Sequence, residues 1–171
     1  MIMSAFDLKT TCAGLILGVA LYQDLKSQKV TNQLVVVALV VSLVLVFAQD
    51  GFSGFWPALS SFGTAIICAL PLYLLRAIGG GDFKLVLAIS PLMTWNAVML
   101  TILASLFWGA LLGVIRVALQ GKGKQFATNM VSIIMRSKTE PTSLSKIPFT
   151  VGLLFGWLTQ ISLQQAGVHF L

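Results

Sequence analysis

An all-α integral membrane protein of about six transmembrane helices, the fourth of them short, is predicted by three features of the sequence. Hydrophobic residues make up 57% of the chain and charged residues only 9%, against roughly 25% charged in an average soluble domain. Mean hydropathy is +0.95, and the apolar runs are too many and too long to be hidden in one buried core. Finally, at about 20 residues per crossing, 171 residues allow six or seven spans with short loops and no separate soluble domain. Residues 1–171 are therefore expected to form one polytopic membrane domain.

The first apolar run, from Thr10 to Gln23, is preceded by Asp7 and Lys9, whose charges nearly cancel, and no small-residue cleavage site follows it. It reads as a retained helix and not as a signal peptide. The second run extends from Leu34 to Ala48, where Gln49-Asp50-Gly51 brings turn chemistry. A third follows from Trp56 to Leu75, with Trp56 suited to an interfacial anchor. After Arg76 come Gly79-Gly80-Gly81, then Asp82, Phe83 and Lys84, and an apolar stretch that ends near Leu119. At about 1.5 Å per helical residue, that stretch far exceeds the roughly 30 Å of bilayer hydrocarbon. A break is expected at Pro91 to Asn96, because proline lacks a helix donor and crowds the preceding turn. This leaves a short fourth helix and a full fifth one. Residues 120–146 are polar and read as a cytoplasmic loop, within which Phe126 to Met135 has the pattern of an amphipathic interfacial helix. A sixth span is predicted from Ile147 to about Leu163.

Six spans place the loops after the first, third and fifth helices on one side. That side carries Lys26, Lys29, Arg76, Lys84, Arg116, Lys122, Lys124, Arg136, Lys138 and Lys146, whereas the other carries only Lys9. Such asymmetry marks the first side as cytoplasmic. The net charge of +6 is thereby explained by cations beside lipid headgroups. No nucleic-acid fold or base-stacking platform accompanies them, so the expected partner is the bilayer and not nucleic acid.

Few residues are available for chemistry. The acids are Asp7, Asp24, Asp50, Asp82 and Glu140, and the one histidine, His169, falls on the side opposite the basic loops. Cys12 and Cys68 stand alone in apolar runs, as small buried hydrophobes do. No metal site, cofactor or Ser-His-Asp arrangement is expected from this set. A carboxylate pair remains. Asp24 closes the first span and Asp82 opens the fourth, so two full crossings return them to the same membrane face although 58 positions separate them. Singly, each is as readily a solvated boundary marker. Brought together, two carboxylates share one proton, and the pair supplies an acid and a base for hydrolysis without a covalent intermediate. The glycines before Asp82 serve either as a flexible helix break or as a segment that needs φ > 0 or admits close backbone approach of a substrate. They are no phosphate loop, since no strand precedes them.

These residues resemble the prepilin peptidase family, membrane aspartyl proteases of the GxGD type. Gly79-Gly80-Gly81-Asp82-Phe83-Lys84-Leu85 is similar to the second aspartate motif of that family. Asp24-Leu25-Lys26-Ser27-Gln28-Lys29-Val30-Thr31-Asn32 is similar to the first, with Asp24, Lys26, Val30 and Asn32 matching and Thr31 standing where proline is usual. Lys146-Ile147-Pro148-Phe149, with Gly152 and Gly156 beyond, resembles the last-helix signature, although those glycines also fit ordinary small-residue packing.

The resemblance implies catalytic Asp24 and Asp82, an active-site loop of Gly79, Gly80, Gly81 and Lys84, and support from Lys26, Asn32 and Pro148. It implies no cofactor and no metal. Larger relatives carry paired CxxC motifs and a methyltransferase activity that this chain lacks, so it is similar to the short peptidase-only members of Flp-type tight-adherence pili. The implied function is cleavage of the basic leader of type IV pilin-like prepilins at the cytoplasmic face of the bacterial inner membrane. The alternatives are a noncatalytic assembly or scaffold protein and an ion or proton transporter using the same two aspartates. A transporter normally holds acids at midspan, and here no span centre carries one.

Overall fold

The computed structural model describes residues 8–27, 30–119 and 149–167. Among them are six α-helices and two 3-10 turns, and no strand. The helices are α1 (Leu8–Ser27), α2 (Asn32–Asp50), α3 (Phe55–Leu74), α4 (Gly80–Ile89), α5 (Trp95–Leu119) and α6 (Phe149–Gln165). Loop 120–146, the interfacial helix expected at Phe126 to Met135, and Pro148 lie outside the described residues.

The helix borders follow the chemistry at their ends. Thr31 is the N-cap of α2, in extended conformation with its hydroxyl accepting from the Leu34 N–H at 3.4 Å. Helix α2 stops at Gly51, whose φ of 61° is left-handed. Helix α3 ends in a Schellman motif: the Ala77 N–H bonds the Leu72 carbonyl at 2.8 Å and the Arg76 N–H bonds that of Tyr73 at 3.0 Å. The left-handed position falls on Arg76, with φ 58°, where glycine is usual. Helix α4 gives way at Ser90 to a 3-10 turn containing Pro91, and α5 resumes at Trp95, so the break spans residues 90–94 and overlaps the expected Pro91 to Asn96. The Ser61 hydroxyl on α3 bonds the Met93 carbonyl at 2.6 Å and holds that turn against the bundle.

The core is built from small and branched residues on facing helices, among them Ala13, Leu17, Ala20, Ala65, Ala69, Leu85, Ile89 and Leu153, with Trp157 of α6 among them. The most extensive helix pair is α5 with α6. It is close because Gly152 and Gly156 present no side chain: a Cβ on Gly156 would lie 2.6 Å from the Ser105 nitrogen and 2.6 Å from the Thr101 carbonyl oxygen. These two glycines are thus packing residues.

Two stretches, Asn32–Leu74 and Trp95–Ile115, are long and apolar enough to cross a membrane. The 3-10 turn Gly51–Gly54 divides the first into α2 and α3, each about 30 Å long at about 1.5 Å per residue. The most apolar segments of the two stretches are only 17% and 22% buried. Val36, Val37, Val40 and Val44 of α2 lie exposed, as do Leu103, Phe107 and Val114 of α5. In water such an apolar surface would exceed by far the few hundred Å² that monomers tolerate. It is the surface of a membrane protein. The expected count of six spans is not reached by length and apolarity: α6 has 17 residues, α1 carries Lys9, Asp24 and Lys26, and α4 has 10 residues, about 15 Å.

Candidate active site

The C-terminal end of α1, the N-terminal ends of α2, α4 and α6 and the C-terminal end of α3 contribute to one cluster. Asp24 lies in the last turns of α1, and although charged it is only 6% exposed. The Thr150 hydroxyl, in the first turn of α6, donates to its Oδ2 at 2.5 Å. Asp82 is the third residue of α4 and half-buried. The backbone N–H of Gly79, the N-cap, donates to its carboxylate, which is the acidic half of a capping box. Capping accounts for one oxygen only. Oδ1 of Asp82 is buried and has no hydrogen-bond partner among the described residues. Asp24 is close enough to act electrostatically on Asp82.

The glycine segment is explained by close approach and not by backbone hand, because none of Gly79, Gly80 and Gly81 has a positive φ. A Cβ on Gly79 would lie 3.0 Å from Asp82 Oδ2, and one on Gly81 would lie 3.1 Å from the Val30 Cβ and 3.4 Å from its carbonyl oxygen. Gly81 thus lets the connection between α1 and α2 lie against the start of α4. Gly80 faces the Tyr73 ring at an ordinary 3.4 Å, and Tyr73 stacks on Phe83 with ring centroids 5.2 Å apart.

The remaining expected residues divide. Lys84 donates to the Asn32 side-chain oxygen at 3.1 Å, which ties the second motif to the first. Lys26 lies exposed in the last turn of α1, where a cation complements the helix dipole. Thr31, at the position usual for proline, donates to the Gln23 side chain at 3.0 Å besides capping α2, and Gln23 adjoins Asp24. Thr150 was not foreseen. The only signal available was its place directly after Ile147-Pro148-Phe149.

At the opposite end of the bundle, the Lys9 ammonium pairs with the Asp50 carboxylate. There α4 stops short, and a cavity of about 240 Å³ opens beside Pro91, Thr94, Trp157 and Gln160. Neither Asp24 nor Asp82 lines it. The cluster at the other end holds the buried Asp24 and the half-buried Asp82, with side-chain hydrogen bonds that join α1 to α6 and α4 to α2.

No curated protein and no solved structure matches the chain. A family model does, over residues 12–114, a span that holds both aspartates, the glycine segment and the hydrogen bond between Lys84 and Asn32. With most of the chain so matched and its surface that of a membrane protein, the chain belongs to the type IV leader peptidase family.

Proposed function

We propose that this peptidase is a multi-pass aspartyl endopeptidase that removes the leader of Flp-type pilin-like precursors, with Asp24 and Asp82 as its catalytic pair. The observation that supports this most is the buried Oδ1 of Asp82, without a hydrogen-bond partner among the described residues and within electrostatic reach of the buried Asp24 carboxylate. An oxygen of that kind is costly unless it carries or shares a proton. In the proposed mechanism one carboxyl is protonated and hydrogen-bonds the scissile carbonyl, while the other, ionised, takes a proton from water. The water oxygen adds to the carbonyl carbon as the first carboxyl passes its proton to the carbonyl oxygen, which forms a tetrahedral diol. The proton taken from water then passes to the leaving amine, the C–N bond breaks, and one diol hydroxyl gives its proton back to the pair as the new carboxyl group forms, so that the pair again holds one proton.

The setting suits a substrate that is half membrane and half water. In this reading the cluster lies at the cytoplasmic face of the bacterial inner membrane, an orientation that the charge asymmetry supports, and an apolar pilin helix lies in lipid while its basic leader reaches the carboxylates. The test is cleavage of candidate prepilins by purified protein in lipid, read by mass spectrometry. Asp24→Asn and Asp82→Asn are each expected to lower cleavage by at least about 100-fold while the protein stays folded. Full activity in either variant refutes the pair. Proton or cation flux in liposomes without any cleavage would favour a transport role instead.

A further inference from the structure

Asp24 sits in an unfavourable place for an anion. It is buried near the C-terminal end of α1, where unpaired carbonyls give the helix its negative pole. Asp82 has the opposite situation, since it lies in the first turn of its own helix and takes the Gly79 N–H. What Asp24 lacks from its own helix comes from another. Thr150, 1% exposed, lies in the first turn of α6 and aims its hydroxyl at Asp24 Oδ2 across 126 positions of sequence. The positive pole of α6 therefore faces the same carboxylate.

We infer that Thr150 is a positioning residue, whose hydroxyl holds Asp24 in one orientation and so allows it to act with Asp82. This assignment rests on the two-aspartate reading above. It reaches beyond the segment that the family model matches, which ends at residue 114. The hydroxyl is not what docks α6 on α1. That contact is made by Trp157, which lies against Gly14 so closely that a Cβ there would meet its ring at 2.6 Å, with Leu17 and Leu153 in the same core. The threonine volume without its hydroxyl is therefore compatible with the fold, and the role of the hydroxyl is separable from packing.

The experiment compares wild type, T150V, T150A, T150S and Asp24→Asn in lipid. The probe is a synthetic precursor with a lysine-containing leader, a glycine at the cleavage position and an apolar helix. T150V and T150A are expected to lower kcat by about 10- to 100-fold with KM changed less than about threefold, because a misaimed carboxylate affects turnover more than binding. T150S, which keeps the hydroxyl, is expected to recover most of the loss. Thermal unfolding in detergent is expected to differ little between T150V and wild type. A loss that follows side-chain volume, with T150V active and T150S impaired, overturns the inference, as does loss of folded protein in both T150V and T150A. If wild type cleaves, Asp24→Asn does not and T150V is normal, the inference fails while the peptidase pair stands. If wild type cleaves no precursor, the pair and the inference fall together.

Discussion

Individual residues at the site differ in what a single methyl group would do. Gly79→Ala places a carbon 3.0 Å from Asp82 Oδ2, and Gly81→Ala places one 3.1 Å from Val30, so each should re-aim the carboxylate or push away the start of α2. A displacement of about 1 Å is enough to cost on the order of 100-fold in rate. Both variants are expected to lose about 10- to 100-fold in kcat, whereas Gly80→Ala, which meets the Tyr73 ring at ordinary contact distance, should lose less than about fivefold. Steady-state cleavage of one precursor by all three checks this, and near-wild-type turnover in Gly81→Ala would show that the approach of Val30 has no bearing on Asp82. Thr31 is a different kind of residue. Its hydroxyl caps α2 and reaches Gln23, so Thr31→Ala should lower stability by about 1 kcal/mol, read as a fall in Tm, with cleavage retained. The departure from proline at this position was visible in the sequence. That the Thr31 hydroxyl caps α2 came from the structure, where it accepts from the Leu34 N–H.

At the scale of elements, the pair α5 and α6 depends on glycines where a side chain would meet backbone. Gly156→Ala brings a carbon to 2.6 Å from both Ser105 N and Thr101 O, atoms that move only if a helix moves. A loss of about 1–3 kcal/mol is expected, measured by thermal or denaturant unfolding in detergent. Gly18→Ala, with nothing within 4 Å of the new carbon, is the matched control and should be neutral or slightly stabilising because alanine favours helix. Equal stability of the two variants would mean that α6 can lift off α5 without cost. Helix α4 shows how local chemistry limits an element: glycines and a capping acid begin it, and Pro91 ends it after 10 residues. Its shortness follows from the sequence. That the following turn is held by Ser61 of α3 does not, since a serine in an apolar helix more often bonds its own preceding turn, as Ser61 also does to Pro57 at 2.9 Å.

For the whole molecule, the arrangement is an apolar bundle with its charged groups at the two ends. Lys9 and Asp50 mark one end, and Asp24, Asp82 and Lys84 mark the other. Cysteines introduced at Ser27 and Phe52 should therefore react with impermeant thiol reagents from opposite sides of the membrane, Ser27 from the cytoplasm. Phe52 suits the test because it is 81% exposed, while Gly54, two residues on, is buried. Labelling of both from one side would overturn the orientation derived from the charge asymmetry.

Composition and order along the chain were enough to determine that this is a helical membrane protein, where its apolar runs begin and end, and that Asp24 and Asp82 belong to the same end of the bundle. Those properties are sums or parities. Hydropathy adds up residue by residue, and each crossing exchanges one side for the other, so no knowledge of packing is needed. The tertiary structure decided the rest. It placed Thr150 on Asp24, Val30 on Gly81 and Asn32 on Lys84, left Asp82 Oδ1 without a partner among the described residues, and assigned Gly152 and Gly156 to packing. A hydroxyl, a glycine or an amide has the same hydropathy wherever its helix points. What it does depends on which distant helix faces it and at what separation, and those are set by how side chains interlock across the bundle.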